Sequence, residues 1–266
     1  MDDQRMKPKN SRRSWPGGYL LLQVAVIAGF FLAWEYAIIA FGVPAYILPK
    51  PSGVAIAIYN GVVPPNATLL PHVWVTVQEV IYGYAIGAGG GFLLGILLSE
   101  SRILRTIVHP FIVAIQVTPK TALVPLFIIW FGFGITSKVF IVILITFFPV
   151  VVNTVAGLRG VELHRIDLMR SYRASRLKTL MYMKIPSAMP AVFSGLEVAI
   201  VLAILGAIVG EFLGARAGLG RTIITAGENL DMNLVFAAIA LLIFMGLTAQ
   251  GLLQLIRRRA LFWQGK

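Results

Sequence analysis

The chain has 266 residues, of which 58% are hydrophobic and only 13% are charged, and its mean hydropathy is +0.84. A soluble domain carries about 25% charged residues, so a water-compatible surface is excluded and we expect lipid to be the solvent of one membrane domain. The absence of cysteine excludes disulfides and thiolate chemistry, and the three histidines show no metal-ligand spacing.

Six apolar segments are long enough to cross a bilayer as helices, which takes about 20 residues. They span residues 19–42, 74–99, 107–131, 138–158, 190–213 and 234–255. A basic tail, residues 1–18, precedes the first segment. A linker rich in proline and glycine, residues 43–73, follows it and contains a short helix that starts near Gly53. We therefore predict an all-α membrane protein with about six transmembrane helices, whose core is residues 74–266.

Lysine and arginine are distributed unevenly along the chain. Eighteen of the 23 lie in the N-terminal tail, in residues 100–106 and 159–189, or at the C-terminal end. Because cytoplasmic loops are enriched in these residues, the pattern predicts a multi-pass protein with both termini in the cytoplasm. The same distribution accounts for the net charge of +12 without nucleic acid as a partner.

Two of the segments carry glycine at every fourth position. These residues are Gly83, Gly87, Gly91 and Gly95 in the second segment and Gly206, Gly210 and Gly214 in the fifth. Small residues at this spacing let helices approach closely in lipid. Tight packing within the chain and a subunit interface both fit the pattern.

A polar run within the third segment predicts a solute pathway. Pro119 removes a backbone donor and breaks the helix there, and broken helices near the midplane are where transporters often bind solute. The residues that we expect to line the pathway are Gln116, Thr118, Pro119, Lys120 and Thr121, with Asn153 as a packing or gating group. Lys120 would favour an anionic solute. Alternatively, its side chain snorkels to the surface or pairs with a glutamate.

The long loop between the fourth and fifth segments is basic and amphipathic. Residues 161–190 read VELHRIDLMRSYRASRLKTLMYMKIPSAMP. A loop of this length is usually functional. By charge alone it also fits a segment that rests on anionic lipid headgroups.

This loop resembles the coupling motif of ABC importer permeases, in which two short helices dock into a groove on the cytoplasmic ATPase. Asp167-Leu168-Met169 stand at the Glu-Ala-Ala positions of the motif, and Arg173-Ala174-Ser175 stand at its Gly-Ala-Ser positions. The resemblance implies an ATPase-coupling site that consists of Asp167, Leu168, Met169, Arg170, Ser171, Tyr172, Arg173, Ala174 and Ser175. Arg173 replaces the glycine that permits the family's tight turn, so either the turn differs or the alignment shifts by one residue.

Further motifs resemble the nitrate/taurine/sulfonate-type permeases. They are Leu48-Pro49-Lys50-Pro51-Ser52, Pro125-Leu126, Trp130 to Gly134, Phe148-Pro149 with Asn153-Thr154, and Glu211 followed by Gly218-Leu219-Gly220. This resemblance implies a type I ABC importer permease fold and a permease dimer, either homodimeric or heterodimeric. It also implies two ATPases that use ATP and Mg²⁺, and an external substrate-binding protein. The permease itself would bind no cofactor and no metal and would catalyse no reaction. The implied solute is a small anion such as nitrate, a sulfonate or taurine, or a pyrimidine or flavin-type vitamin precursor.

Ionisable residues within membrane spans cost roughly 2.5–3.5 kcal/mol and are therefore candidates for function. Besides Lys120 these are Glu35, Glu197 and Glu211. We expect Glu35 to be structural and Glu197 to pair with a basic loop residue. For Glu211 we expect a salt bridge near the outer loop that contains Arg216 and Arg221, or a contact with the binding protein.

An alternative is a secondary carrier or channel driven by an ion gradient. The sequence contains no Gly-x-x-x-x-Gly-Lys-Ser/Thr phosphate loop, so the chain would take energy from a separate ATPase or from an ion gradient. A carrier accounts for the helices and the intramembrane charges but not for the coupling-type loop.

Overall fold

The structure is a computed structural model that describes residues 16–65 and 67–263, and within these ranges the chain forms helices and no strands. The helices, in chain order, are α1 (Pro16–Phe41), α2 (Pro51–Val62), α3 (Leu70–Glu100), α4 (Arg102–Val117), α5 (Val124–Phe131), α6 (Ile135–Arg159), α7 (Leu163–Ser171), α8 (Arg176–Thr179), α9 (Ile185–Gly214), α10 (Leu219–Glu228) and α11 (Met232–Ala260). A 3₁₀ turn (Lys120–Leu123) precedes α5, and a π turn (Leu180–Lys184) joins α8 to α9.

Five helical stretches are long and apolar enough to cross a membrane: most of α1, then α3, α6, the continuous stretch from α8 to the end of α9, and α11. A sixth span exists only if α4 and the stretch Lys120–Phe131 count as one, and these two are bent by 86°. The predicted segment 107–131 is therefore not one continuous helix. Thr118 is extended, with ψ of 129°, because the residue before a proline avoids the helical region.

The centre of the bundle is formed by α3, α6 and α9. The four repeat glycines of α3 (Gly83, Gly87, Gly91 and Gly95) face α6 so closely that an added Cβ would collide with Val142, Thr146, Phe147 or Thr154. Gly206 and Gly210 of α9 meet α6 in the same way. Both glycine repeats therefore serve helix packing within the chain.

The first helix lies at the periphery, since Ile38 is its only described residue in the buried class. Two side chains besides Ile38 illustrate how it contacts the rest of the chain. Trp34 packs on Phe236 of α11 with ring centroids 5.9 Å apart. The Glu35 carboxylate accepts hydrogen bonds from the backbone N–H (3.0 Å) and hydroxyl (2.7 Å) of Ser52 at the start of α2. Glu35 thus fastens α1 to the short helix, which begins at Pro51.

Candidate functional site

The loop between α6 and α9 forms two short helices that stand away from the bundle. None of the residues of α7 is buried. The turn after α7 is closed by hydrogen bonds from Ala174 N–H to Met169 O (3.0 Å) and from Arg173 N–H to Arg170 O (2.8 Å). This pair of bonds is the Schellman arrangement that ends many helices.

Arg173 occupies the left-handed position of this turn, with φ of +51°. Glycine is the usual residue there, and any other residue costs roughly 1–2 kcal/mol. The position that needs a left-handed conformation is thus the position at which the sequence resemblance placed the family glycine. Arg173 adopts this left-handed conformation although it carries a β-carbon.

The second short helix begins at a capping serine. Ser175 Oγ accepts a hydrogen bond from Lys178 N–H (3.3 Å), which satisfies one free donor of α8. Apolar side chains around the turn face solvent: Leu168 is 56% exposed, Tyr172 77% and Leu177 68%. An apolar surface of this kind usually marks a contact with another molecule.

The six residues predicted to line a solute pathway lie around one cavity of about 670 Å³. They are Gln116, Thr118, Pro119, Lys120, Thr121 and Asn153. Its other walls come from α6, including Phe148 and Pro149, and from Leu202 of α9. The bend between α4 and α5 brings this polar run against α6. The use of this cavity by a solute remains a prediction.

Lys120 lies between a backbone carbonyl and an aromatic ring. Its Nζ donates to Gln116 O at 3.1 Å and is 5.6 Å from the centroid of Phe148, a cation–π distance. It forms no ion pair with a carboxylate of residues 16–65 or 67–263, so the alternative of pairing with a glutamate is not seen there. The ammonium group is left with bonding capacity toward the cavity.

Glu211 forms part of a buried polar network at the opposite end of the bundle from the loop. Three consecutive N–H groups at the start of α10 donate to side chains: Gly218 to His72 Nδ1 (3.0 Å), Leu219 to Thr76 Oγ1 (2.9 Å) and Gly220 to Glu211 Oε2. Thr76 Oγ1 in turn donates to Glu211 Oε1 at 2.6 Å. Side chains of α3 and α9 thus satisfy the free donors of the α10 N-terminus, which also favours a negative charge.

The expected surroundings of Glu211 differ from those observed. Its side chain is 0% exposed, so it does not form an outer contact surface, and neither Arg216 nor Arg221 pairs with it among the described ion pairs. Instead of the predicted salt bridge with an outer-loop arginine, Glu211 accepts hydrogen bonds from Thr76 and from the N-terminus of α10.

Sequence reasoning missed two members of this buried region. Glu79 of α3 lies beside Glu211 and Lys138, and both Glu79 and Lys138 are 1% exposed. Lys138 Nζ donates to Phe133 O (2.9 Å) and to Gly214 O at the end of α9. Glu79 falls within the predicted segment 74–99, so the rule that singled out Glu211 applied equally to it.

Glu197 pairs with a cation, but not with one in the loop. Its Oε1 is 2.8 Å from Arg257 Nη1 near the end of α11. A second interhelical pair joins Lys184, in the π turn before α9, to Glu100 at the end of α3 (2.6 Å). The second pair links the loop to the bundle.

These features define a multi-pass helical membrane protein with an exposed two-helix loop between its central spans, and comparison with known proteins identifies its family. Residues 87–261 match the family described as binding-protein-dependent transport system inner membrane component. The chain is 34% identical over 253 residues to the riboflavin transport system permease protein RibX of Chloroflexus aurantiacus, which covers 95% of this chain and 92% of RibX. It is 26% identical over 268 residues to the taurine transport system permease protein TauC of Escherichia coli. This alignment covers 99% of this chain and 98% of TauC.

A solved structure of the MetNI methionine ABC transporter, in inward-facing conformation, contains a chain of the same fold. The TM-score is 0.65 at 17% identity, covering 72% of this chain and 95% of that chain. The chain described here therefore belongs to the binding-protein-dependent transport system inner membrane component family and has the type I ABC importer permease fold. It is a permease subunit of a binding-protein-dependent ABC importer, which confirms the resemblance found in the sequence.

Proposed function

We propose that residues Asp167–Ser175 dock onto a cytoplasmic ATP-binding cassette ATPase, which hydrolyses ATP with Mg²⁺ on its own chain. The proposed assembly also contains a second permease subunit and an external substrate-binding protein, and it lies in the inner membrane with both permease termini in the cytoplasm. Closure of the ATPase pair would shift the permease between inward-open and outward-open states.

The observation that carries the docking proposal is the exposed turn between α7 and α8. Leu168, near the end of α7, and Tyr172, in the turn that follows, are largely exposed. The backbone of this turn is closed by its own hydrogen bonds. Arg170 and Asp167 form an ion pair within α7 at 3.1 Å. A protruding turn with exposed apolar side chains beside a pair of opposite charges is suited to insertion into a groove on a partner.

A paired charge reversal tests the docking surface. Asp167→Lys with Arg170→Glu keeps an intrahelical ion pair but inverts both charges presented to a partner. We expect a co-expressed cognate ATP-binding cassette ATPase to co-purify with the wild type and to be lost from this variant, together with permease-dependent ATP hydrolysis. Hydrogen exchange over residues 163–171 checks that α7 still forms.

The matched control reverses the neighbouring pair at the start of α7, formed by the N-cap residue Glu162 and Arg165. Glu162→Lys with Arg165→Glu exchanges a pair 2.9 Å apart that lies outside Asp167–Ser175, and it should retain the ATPase. If both variants retained the ATPase, the proposed docking surface would be wrong. Solute movement in liposomes driven by an ion gradient, without any ATPase, would favour a secondary carrier.

We further propose that the cavity around Lys120 is on the solute pathway and that Lys120 favours an anionic solute. The relatives transport different chemistries by name, riboflavin for RibX and taurine for TauC. For this chain we propose a small organic or inorganic anion, with a pyrimidine or flavin-type vitamin precursor as the second candidate. The ammonium group at the cavity favours the anion, because a fixed charge in a low-dielectric wall attracts the opposite charge strongly.

Uptake assays with two probes separate these candidates. In proteoliposomes with the complete transporter, ethanesulfonate and riboflavin represent the anion and the vitamin class. If the anion is the substrate, Lys120→Ala should lower ethanesulfonate uptake at least tenfold, while Lys50→Ala, an exposed lysine outside the cavity, leaves it unchanged. Unchanged ethanesulfonate uptake in Lys120→Ala would contradict the anion site, and uptake of riboflavin alone would favour the second candidate.

A further inference from the structure

A second cavity lies between α4 and α6, at the end of the bundle that carries the two-helix loop. It has a volume of about 410 Å³, which is within the size range of small-molecule sites. Its polar lining consists of Arg105, His109, Gln116 and Arg159. Gln116 and Val152 also line the Lys120 cavity, so the two cavities are neighbours.

The amphipathic helix α4 contributes the polar side chains on one side of the cavity. Arg105, His109, Ile112 and Gln116 recur at helical spacing and line the same cavity, as residues on one helix face do. The facing wall of α6 is mainly apolar, and Arg159 closes it at the last residue of that helix. The cleft therefore combines an apolar wall with two arginine side chains in its lining.

The arginines of this cleft have no carboxylate partner among residues 16–65 and 67–263. No carboxylate is among its described lining residues, and neither Arg105 nor Arg159 belongs to an ion pair within the described part of the chain. Arginine presents a planar fork of donors that matches phosphate oxygens in two-pronged fashion. Two such groups beside an apolar wall are suited to an anion that carries an apolar or glycerol-like part.

We propose that the cavity between α4 and α6 binds a phosphate-type oxyanion through Arg105 and Arg159. The shared chemistry is a phosphate group, which either an anionic lipid headgroup or a free phosphate supplies. Basic pockets between transmembrane helices on the cytoplasmic side bind lipid headgroups in other membrane proteins. The proposed ligands Arg105 and Arg159 belong neither to Asp167–Ser175 nor to the Lys120 cavity, although the two cavities share Gln116 and Val152.

Binding to the purified full-length chain in detergent tests the proposal. Phosphatidylglycerol and phosphatidylcholine are titrated and followed by native mass spectrometry, and inorganic phosphate is measured by equilibrium dialysis. We expect phosphatidylglycerol or phosphate to bind the wild type and Arg105→Gln with Arg159→Gln to weaken that binding at least tenfold. The charge-matched control, Arg102→Gln with Arg258→Gln, changes two exposed arginines outside the cavity and should bind as the wild type does.

A second variant guards against a general charge effect. Ala156→Trp fills the cavity from a solvent-exposed position of α6 and leaves both arginines in place, and it should also weaken binding. Binding of phosphatidylglycerol alone would identify a lipid headgroup as the ligand, and competition by phosphate would identify a free anion. If the wild type bound neither probe, or if the arginine and tryptophan variants bound as tightly as the control, the proposal would be wrong.

Discussion

Glu211 shows how a buried carboxylate is retained in an apolar bundle. It accepts hydrogen bonds from Thr76 Oγ1 and from Gly220 N–H and lies at the N-terminus of α10, where the helix dipole favours negative charge. Lys138 is nearby. The carboxylate therefore replaces its lost hydration with specific donors, and it joins α3, α9 and α10 at one point.

Removal of this carboxylate should destabilise the fold. Glu211→Ala leaves the Thr76 hydroxyl and the Gly220 N–H without their acceptor in a buried site, at a cost of about 3 kcal/mol. Glu211→Gln keeps an acceptor oxygen and should lose less. Reversible unfolding of the detergent-solubilised chain in SDS measures the free energy. Glu228→Ala, on an exposed residue of α10, is the control, and equal stability of both alanine variants would contradict the prediction.

At the scale of helix pairs, the contact between α3 and α6 depends on the absence of side chains at particular positions. A Cβ added at Gly87 would lie 2.9 Å from Ile143 O and would also collide with Thr146, whereas no atom lies within 4 Å of a Cβ added at Gly89. The two glycines are two residues apart on one helix and thus on different faces. They form a matched pair for mutagenesis.

We expect Gly87→Ala to destabilise the bundle by about 1–3 kcal/mol, because overpacking forces the two backbones apart. Gly89→Ala should be neutral or slightly stabilising, since alanine is the better helix former. The two variants are compared by SDS unfolding of the purified chain. Similar unfolding free energies for both would mean that α3 and α6 do not pack at this face.

The turn between α7 and α8 requires a left-handed backbone at Arg173, a conformation that residues with a β-carbon disfavour. Arg173→Gly should keep the left-handed turn and stabilise it by about 1 kcal/mol, because glycine enters this region without penalty. Arg173→Pro should abolish the turn, since proline fixes φ near −65° and removes the N–H that donates to Arg170 O. Hydrogen exchange over residues 163–179 measures both effects. Faster exchange in the glycine variant would contradict the assigned geometry.

At the scale of the whole molecule, the sequence predicted the positions of the apolar spans better than the angles and side-chain contacts between them. The apolar length of each segment and Pro119 were enough to place the helices and the break before α5. The 86° bend could not be predicted, because a proline ends a helix without setting the direction of the next one. The network of Thr76, Glu79, Lys138 and Glu211 could not be predicted either, since it forms only when residues of three separate helices meet.

The same assembly of helices offers a route from the loop to the bundle. The π turn Leu180–Lys184 continues directly into α9, and Lys184 reaches across to Glu100 at the end of α3. A displacement of α8 would therefore reach α9 through the continuous backbone and α3 through the ion pair between Lys184 and Glu100. The side chains of this pair are 20% and 30% exposed, so we expect it to contribute at most about 1 kcal/mol, or roughly fivefold in an equilibrium.

We predict that this ion pair transmits nucleotide-dependent motion to α3, provided that the loop docks the ATPase as proposed. In the ATPase complex, trapping with ATP and vanadate should change hydrogen exchange at residues 90–100. Glu100→Gln should reduce that change up to about fivefold, and the exchanged pair Glu100→Lys with Lys184→Glu should restore it. Glu197→Gln, which breaks the pair with Arg257 elsewhere in the bundle, should leave it intact. If the exchanged pair failed to restore the response, Glu100 and Lys184 would act separately rather than as a link between loop and bundle.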